Sequence, residues 1–284
     1  MAYAPSPRPT FDRPTAIPRA TVTRHLWGDA TSGFVADWIY VSSDQIHQLE
    51  FGLGPGGSFK HSDEFRTIFA ADEVLYVLDG SMAIANPETG EVHLVEPGEA
   101  AFFQRDTWHH AWNAGVGELR VLELFAPPPS QGTSGSYART KPMLEQVSYR
   151  QDGLIGAWPG VRAAAPTIKV VHKRDWLWRM EDPGDATLVG IIASTDQLTV
   201  GHRKLLPGQQ SSAERHGGAE SLYVLSGTLH IGITDAPPPS LYELNAGDGF
   251  YLPEGESHRY LNMSGEPVEF IFGVAPAYLE REQV

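Results

Sequence analysis

Cysteine is absent from the 284 residues. Disulfides are thereby excluded, and so is every thiolate metal site; a bound metal must rest on nitrogen and oxygen ligands. Basic residues are scarce as well, with 21 Lys and Arg against 35 Asp and Glu, a net charge of −14. That balance argues against nucleic acid and against anionic membrane surfaces, since both require a basic face on the protein. No apolar stretch approaches 18 residues, and the first twenty residues lack the apolar core of a signal peptide. The expected location is the cytoplasm.

What is present instead is turn chemistry and short apolar runs. The chain holds 29 Gly and 22 Pro, a content that suits many short strands joined by turns better than helices. From Phe34 onward, runs such as FVADWIYV, IHQLEFGL, VLYVL and LRVLELF alternate with Gly-, Pro- or Asn-rich breaks. A second series follows, with TLVGIIA, LTVGHRKLL, SLYVL, LHIGI, GFYL and VEFIFGV. This predicts an all-β protein of barrels or sandwiches. The length is enough for two domains, each with its own core.

The two series are copies of one another. DEVLYVLDG around Glu73 returns as AESLYVLSG around Glu220, 147 positions later. GEAAFFQRDTWHHAWN, which contains Gly98 and His109, returns as GDGFYLPEGESHRYLN, which contains Gly247 and His258, 149 positions later. A near-constant offset over these elements marks an internal repeat of half the chain.

In the later copy Gly247, Pro253, Gly255, His258 and Asn262 stand at G-x5-P-x-G-x2-H-x3-N. This spacing resembles the second signature of the cupin family, and the doubling resembles a bicupin. The earlier copy keeps Gly98, His109 and Asn113 but has Gln104 and Asp106 where the family has Pro and Gly. The resemblance covers residues 45–125 and 195–275, and it implies two jelly-roll (double-stranded β-helix) barrels in tandem. The expected organisation is an extended arm at 1–20, a first cupin domain at 21–126, a linker and bridging segment at 127–173, and a second cupin domain at 174–284. The arm carries five prolines, and APPPSQGTSGS at 126–136 has a linker composition. Tryptophans 158, 176 and 178 cluster ahead of the second barrel and are expected to seal the contact between domains.

The resemblance further implies a metal inside each barrel. In the second copy Glu214, His216 and Glu220 share one parity on a strand-like run, and His258 comes from a neighbouring strand. His216, Glu220 and His258 are the expected metal ligands, in the places of the second histidine, glutamate and last histidine of the family. Glu214 stands where the family has its first histidine; ligand, base and solvent-facing residue are all open to it. In the first copy Glu73 and His109 fill the expected places, but the family spacing back from Glu73 lands on Thr67 and Phe69, or on Arg66 and Ile68, none of them a ligand type. His61 would join Glu73 and His109 only if about six residues looped out, with Asp63 as a fourth ligand or a base. His110 is expected to face outward, alternating with His109.

Two histidines and one carboxylate leave coordination positions for substrate or oxygen, an arrangement suited to Fe(II) and related divalent metals. A second carboxylate tilts the choice toward Mn(II) or Zn(II), and Ni(II) is also compatible. The leading functional expectation is a metal-dependent dioxygenase acting with O2 on an enol, diol, keto acid or aromatic compound, with aromatic residues near the motifs lining its pocket. The alternatives are a redox-neutral metal enzyme (isomerase, cyclase, hydrolase or decarboxylase), in which Glu214 or Asp63 moves a proton, and a binding bicupin without catalysis. A homodimer is expected because open sheet edges of this kind often pair.

Overall fold

The computed structural model describes residues 6–128, 135–150, 166–181, 187–234, 237, 240–278 and 282–283. Most of the linker at 126–136, Trp158, and the tips at 1–5 and 238–239 therefore lie outside the described residues. The regular structure of the described residues is almost all strand, arranged in four antiparallel sheets, two to each half.

In the first half a seven-stranded sheet runs in the spatial order Ile168–Val171, Ala100–Phe103, Asp72–Asp79, Leu119–Ala126, His47–Leu53, Gly33–Ser42, Thr23–Asp29. It faces a four-stranded sheet made of Ser58–Phe59, His110–Asn113, Met82–Ala85 and Val92–Val95. The second half repeats the order with Thr15–Ile17, Gly249–Leu252, Ala219–Ser226, Val268–Ala275, Thr199–Leu205, Thr187–Ser194 and Leu177–Glu181. Its five-stranded partner contains Leu241–Asn245, Thr228–Ile233, His258–Leu261, Glu214–Arg215 and Glu282–Gln283. Each half is a jelly-roll barrel closed by two facing sheets, as the repeat and the cupin resemblance implied.

Alternation along the strands builds three cores at once. On Leu119–Ala126, Leu119 and Val121 fill the first barrel, while Leu122 and Leu124 face the other half. On Ala219–Ser226, Leu222 and Val224 fill the second barrel, while Tyr223 faces the first. The outward residues of both seven-stranded sheets meet in a shared core that includes Tyr40, Ile46, Val74, Leu122, Leu124, Val200, Tyr223 and Ile271. Strands buried on both faces read as continuous apolar runs, which is why the sequence shows VLYVL and FIFGV rather than a clean alternation.

Where the barrels approach most closely, glycine makes the room. A Cβ at Gly273 would lie 2.4 Å from a methyl of Leu124, and one at Gly249 would lie 2.4 Å from the ring of Tyr40. A polar network crosses the same contact. Glu50, fully buried, accepts from Arg19 at 3.0 Å, from Arg120 at 2.7 Å and from the Tyr223 hydroxyl at 3.2 Å. Two guanidinium partners and a phenol offset the cost of burying that carboxylate.

The segment expected as an arm lies along the body from residue 6. Pro9 accepts a hydrogen bond from the Ser42 amide, Phe11 packs on Tyr251, and Thr15–Ile17 joins the edge of the second seven-stranded sheet. Ile168–Val171, from the bridging segment, adds to the corresponding edge of the first sheet by pairing with Ala100–Phe103. Each of these segments covers an edge that would otherwise expose unpaired backbone groups. Trp176 is buried in the core between the barrels, whereas Trp178 is half-exposed beside it.

Candidate metal centre

The second barrel gathers four inward-facing donors. Glu220 lies on Ala219–Ser226 with the parity of Leu222 and Val224, so the pleat turns it into the interior with them. His258 opens His258–Leu261 and pairs directly across from Glu214. His216 follows two residues after Glu214, and its carbonyl is held by the Gly255 amide. One ligand-type atom from each of Glu214, His216 and His258 falls within 4.8 Å of the other two. Glu220 Oε2 lies 3.4 Å from His216 Nε2 and 3.3 Å from His258 Nε2.

All four side chains are buried, and their hydrogen bonds aim them. The Nδ1–H of His258 donates to the Glu256 carbonyl at 3.0 Å, which leaves the Nε2 lone pair pointing inward. The Tyr260 hydroxyl donates to Glu220 Oε1 at 2.5 Å and lies 3.1 Å from His258 Nε2. Burial opposes ionisation of Glu220, but the two imidazoles overcome it and hold the carboxyl well below its ordinary range. For His258, burial favours the neutral ring, and Glu220 and Glu214 reverse that and raise its proton affinity. Tyr278 stacks on His216 with centroids 5.1 Å apart and closes one side of the cluster.

The donor set fits a divalent cation. Glu220 Oε2 is buried without a well-formed hydrogen bond, although two imidazole nitrogens face it. Carboxylates and neutral imidazoles converging in this way suit Mn(II), Fe(II), Zn(II) or Ni(II).

Sequence reasoning missed Arg203. It is 1% exposed, and its guanidinium reaches both oxygens of Glu214 (2.7 and 3.3 Å) and Glu181 at 2.7 Å, while lying 4.9 Å over the Tyr260 ring. The signal was available: in LTVGHRKLL, Arg203 shares the inward parity of Leu205, where an arginine needs a carboxylate partner. Tyr260, at the inward parity of His258, was legible in the same way.

The first barrel is different. Glu73 and His109 face its interior, with His109 Nε2 3.8 Å from Glu73 Oε2. His61 does not join them, and the proposed loop-out does not occur. The His109 amide donates to the Thr67 carbonyl, and the Asp106 amide donates to the Phe69 carbonyl, as Gly255 donates to His216 in the other half. Thr67 and Phe69 therefore occupy the first two ligand places, and Phe59, Phe69 and Phe103 ring His109 at 4.7–5.8 Å. Among the described residues, His61, Glu73 and His109 do not form a ligand cluster. His61 instead packs against outward-facing His110, and Asp63 is solvent-exposed on the same loop.

In place of a metal set the first barrel carries an acid pair. Glu123 shares the inward parity of Leu119 and Val121 and hydrogen-bonds Glu73. Its counterpart in the second barrel, across from Leu222 as Glu123 is across from Leu75, is Phe272. Burial first, then the neighbouring acids, push Glu73 up, and burial with Asp37 pushes Glu123 up to about 8. The pair thus retains a proton at neutral pH. A carboxyl that stays protonated when folded and ionises when unfolded makes stability fall as pH rises from its unfolded value near 4.5 toward 8. Glu123→Gln should flatten that slope by up to about 1.4 kcal/mol per pH unit. Chemical denaturation at pH 5, 6, 7 and 8 reads it; equal slopes in variant and wild type would refute the shared proton.

Of the aromatic residues near the motifs, Phe103 and Phe250 fill the barrel interiors, Tyr251 lies between the barrels, Trp108 packs on Ile68 and Ala138, and Trp112 meets Tyr149 on the outer face.

Two jelly-roll barrels from a duplicated sequence, one with an inward cluster of two imidazoles and two carboxylates, define a bicupin architecture. The Cupin domain model matches residues 50–125 and 201–274, and the chain belongs to the cupin family. No curated protein sequence matches it. Solved structures with this fold include a mutant of Bacillus subtilis oxalate decarboxylase, with TM-score 0.64, 14% identity, and 99% of this chain and 81% of that chain covered. The Lactobacillus farciminis oxalate decarboxylase formate complex gives TM-score 0.66 and 12% identity over 97% and 89% of the two chains. A putative glyoxylate-induced protein from Pseudomonas aeruginosa gives 0.65 and 18% over 96% and 93%. At these identities the likeness is one of fold. Among the described residues no helix is long and apolar enough to cross a membrane.

Proposed function

We propose that the second barrel binds a divalent metal through His216, His258, Glu220 and Glu214 and converts a small organic acid or carbonyl compound by redox-neutral chemistry, with decarboxylation as the leading reaction class. The observation that carries this reading is Glu214: a second carboxylate meets the imidazoles of His216 and His258 within ligand distance. Two carboxylates cancel the charge of a divalent ion, which favours Mn(II) or Zn(II) as a Lewis acid. Oxalate decarboxylases among the structures of like fold support the reaction class.

When bound, the metal polarises an oxygen of the substrate. The chain's own residues do the rest. His258 is oriented by the Glu256 carbonyl, Glu220 by the Tyr260 hydroxyl, and Glu214 by Arg203. Tyr278 and Tyr260 exclude water from the imidazole faces they cover, which strengthens every charge interaction within. Arg203 offsets the charge of Glu214 and places a fixed cation near the cluster, suited to an anionic substrate.

An Fe(II) dioxygenase acting on an enol, diol or keto acid is the second reading. Its support is the face formed by His216, His258 and Glu220 alone, a two-histidine, one-carboxylate set. The test is elemental analysis of protein purified without chelator, followed by anaerobic incubation with small dicarboxylates and keto acids. Stoichiometric metal with CO2 release and no oxygen requirement is the expected result. Activity that vanishes anaerobically and consumes O2 would replace it with the dioxygenase, and a metal-free second barrel would remove both.

A further inference from the structure

Outside both barrel interiors, the outer face of His110–Asn113 carries a histidine pair with no role in the centre above. His61 Nδ1 lies 2.7 Å from His110 Nε2, and the two rings sit 4.8 Å apart. The His61 backbone N–H also points into His110 Nε2, at 3.1 Å. That fixes Nε2 of His110 as an acceptor, so His110 carries its proton on Nδ1, where the Tyr149 hydroxyl accepts it at 3.0 Å. His61 then has one ring proton for two acceptors, His110 Nε2 and the Leu144 carbonyl. Neutral rings cannot satisfy this arrangement. It closes when a cation meets the two nitrogens.

We propose that His61 Nδ1 and His110 Nε2 form a chelating site, outside the barrel interiors, for a borderline transition-metal dication, Cu(II) above all, with Zn(II) and Ni(II) as weaker occupants. Two imidazole nitrogens on adjacent positions of such an ion stand about 3 Å apart, given bonds of about 2.0–2.1 Å, close to the separation already built. The Tyr149 hydroxyl and the Leu144 carbonyl hold the rings in orientation, the part that outer hydrogen bonds play at imidazole metal sites. His110 is buried and His61 partly exposed, so the ion approaches the pair from the His61 side. A proton is the poorer occupant, since burial pushes His110 down to about 3 and lowers His61; the ion takes the His110 Nε2 lone pair in place of the His61 backbone N–H. Exposed Asp63 favours a cation here, while Lys60, Arg66 and His109 oppose one, which makes the site selective for ions that form strong nitrogen bonds.

The experiment is Cu(II) titration of the chelator-treated full chain at pH 7.5, followed by electron paramagnetic resonance. Two equivalents are expected, separable because His216→Gln removes one and His61→Gln weakens the other at least about tenfold. Loss of the His216-dependent equivalent alone speaks to the second barrel and leaves this site standing. Far-UV circular dichroism checks the fold of each variant. Independently of any variant, substoichiometric Cu(II) should broaden the side-chain resonances of His61 and His110 while sparing His202. A His61→Gln protein that keeps both equivalents at unchanged affinity would overturn the proposal. So would a wild-type His61 that stays doubly protonated and unbroadened by Cu(II).

Discussion

Arg203→Met should lower stability by about 3–5 kcal/mol, the usual effect of removing one partner from a buried ion pair. For a chain of this size that corresponds to a fall of about 6–20 °C in Tm, at roughly 2–4 °C per kcal/mol. The reason is geometric. The guanidinium bridges Glu214, which is fully buried, and Glu181, and it also stacks over Tyr260. Methionine fills much of the volume but leaves two carboxylates without the cation they share. Burial opposes the arginine's charge, and Glu214 leads the groups that reverse this and hold it protonated. A divalent metal in the second barrel would supply positive charge to Glu214 from the other side. Added Mn(II) should therefore raise the melting temperature of the variant more than that of the wild type. A variant that melts within a degree or two of wild type would show that the triad carries little stability.

The same residue marks the boundary of what the sequence made legible. The duplication, the all-β class and the barrel pair could be read from Glu73, Gly80, Gly98 and His109 against Glu220, Gly227, Gly247 and His258, because strand spacing survives in the chain as offset. His216, Glu220 and His258 could be read from parity and motif. What escaped were residues whose partners lie on other strands. Arg203 meets Glu181 because Leu177–Glu181, Thr187–Ser194 and Thr199–Leu205 lie side by side in one sheet, and it meets Glu214 across the barrel interior from the facing sheet. Glu123 escaped likewise, since its meaning depends on Glu73 across the strand pair. His61 was misplaced because a glycine-rich approach was given more weight than spacing. Counting back from Glu73 had landed on Thr67 and Phe69 or on Arg66 and Ile68, and the backbone hydrogen bonds of Thr67 and Phe69 select the first pair.

The two halves therefore divided after duplication in a physically simple way. The ligand places of the second barrel hold Glu214, His216, Glu220 and His258, and those of the first hold Thr67, Phe69, Glu73 and His109. Phe69 replaces an imidazole with a ring that can only pack, and it stacks with Phe125 at 5.9 Å as well as with His109. Glu123 then gives Glu73 a carboxyl partner in place of a cation, and a shared proton does in one barrel what a metal would do in the other. Two like barrels thus meet the problem of an inward glutamate by different means.

That contrast sets the prediction with the largest effect on function. His258→Ala should reduce divalent-metal affinity by at least about 100-fold, beyond what loss of an outer hydrogen bond alone costs, while His109→Ala should leave the metal content of purified protein unchanged. His258 carries this weight because its Nε2 faces Glu220 Oε2 at 3.3 Å, beside His216 Nε2 at 3.4 Å, and because the Glu256 carbonyl fixes its tautomer. Alanine at 258 removes one donor and leaves a cavity lined by Tyr260 and His216, but His258 lies at a strand start and its backbone pairing with Glu214 and Ile233 is retained. The fold should survive with a cost of about 2–4 kcal/mol from the lost packing. His109 is caged by phenylalanines, so its removal should cost stability of similar size with no change in metal. Metal analysis of both variants, purified in parallel, decides the matter. Equal metal in wild type and His258→Ala would remove that residue from the centre, and loss of metal in His109→Ala would show that the first barrel holds an ion despite Thr67 and Phe69.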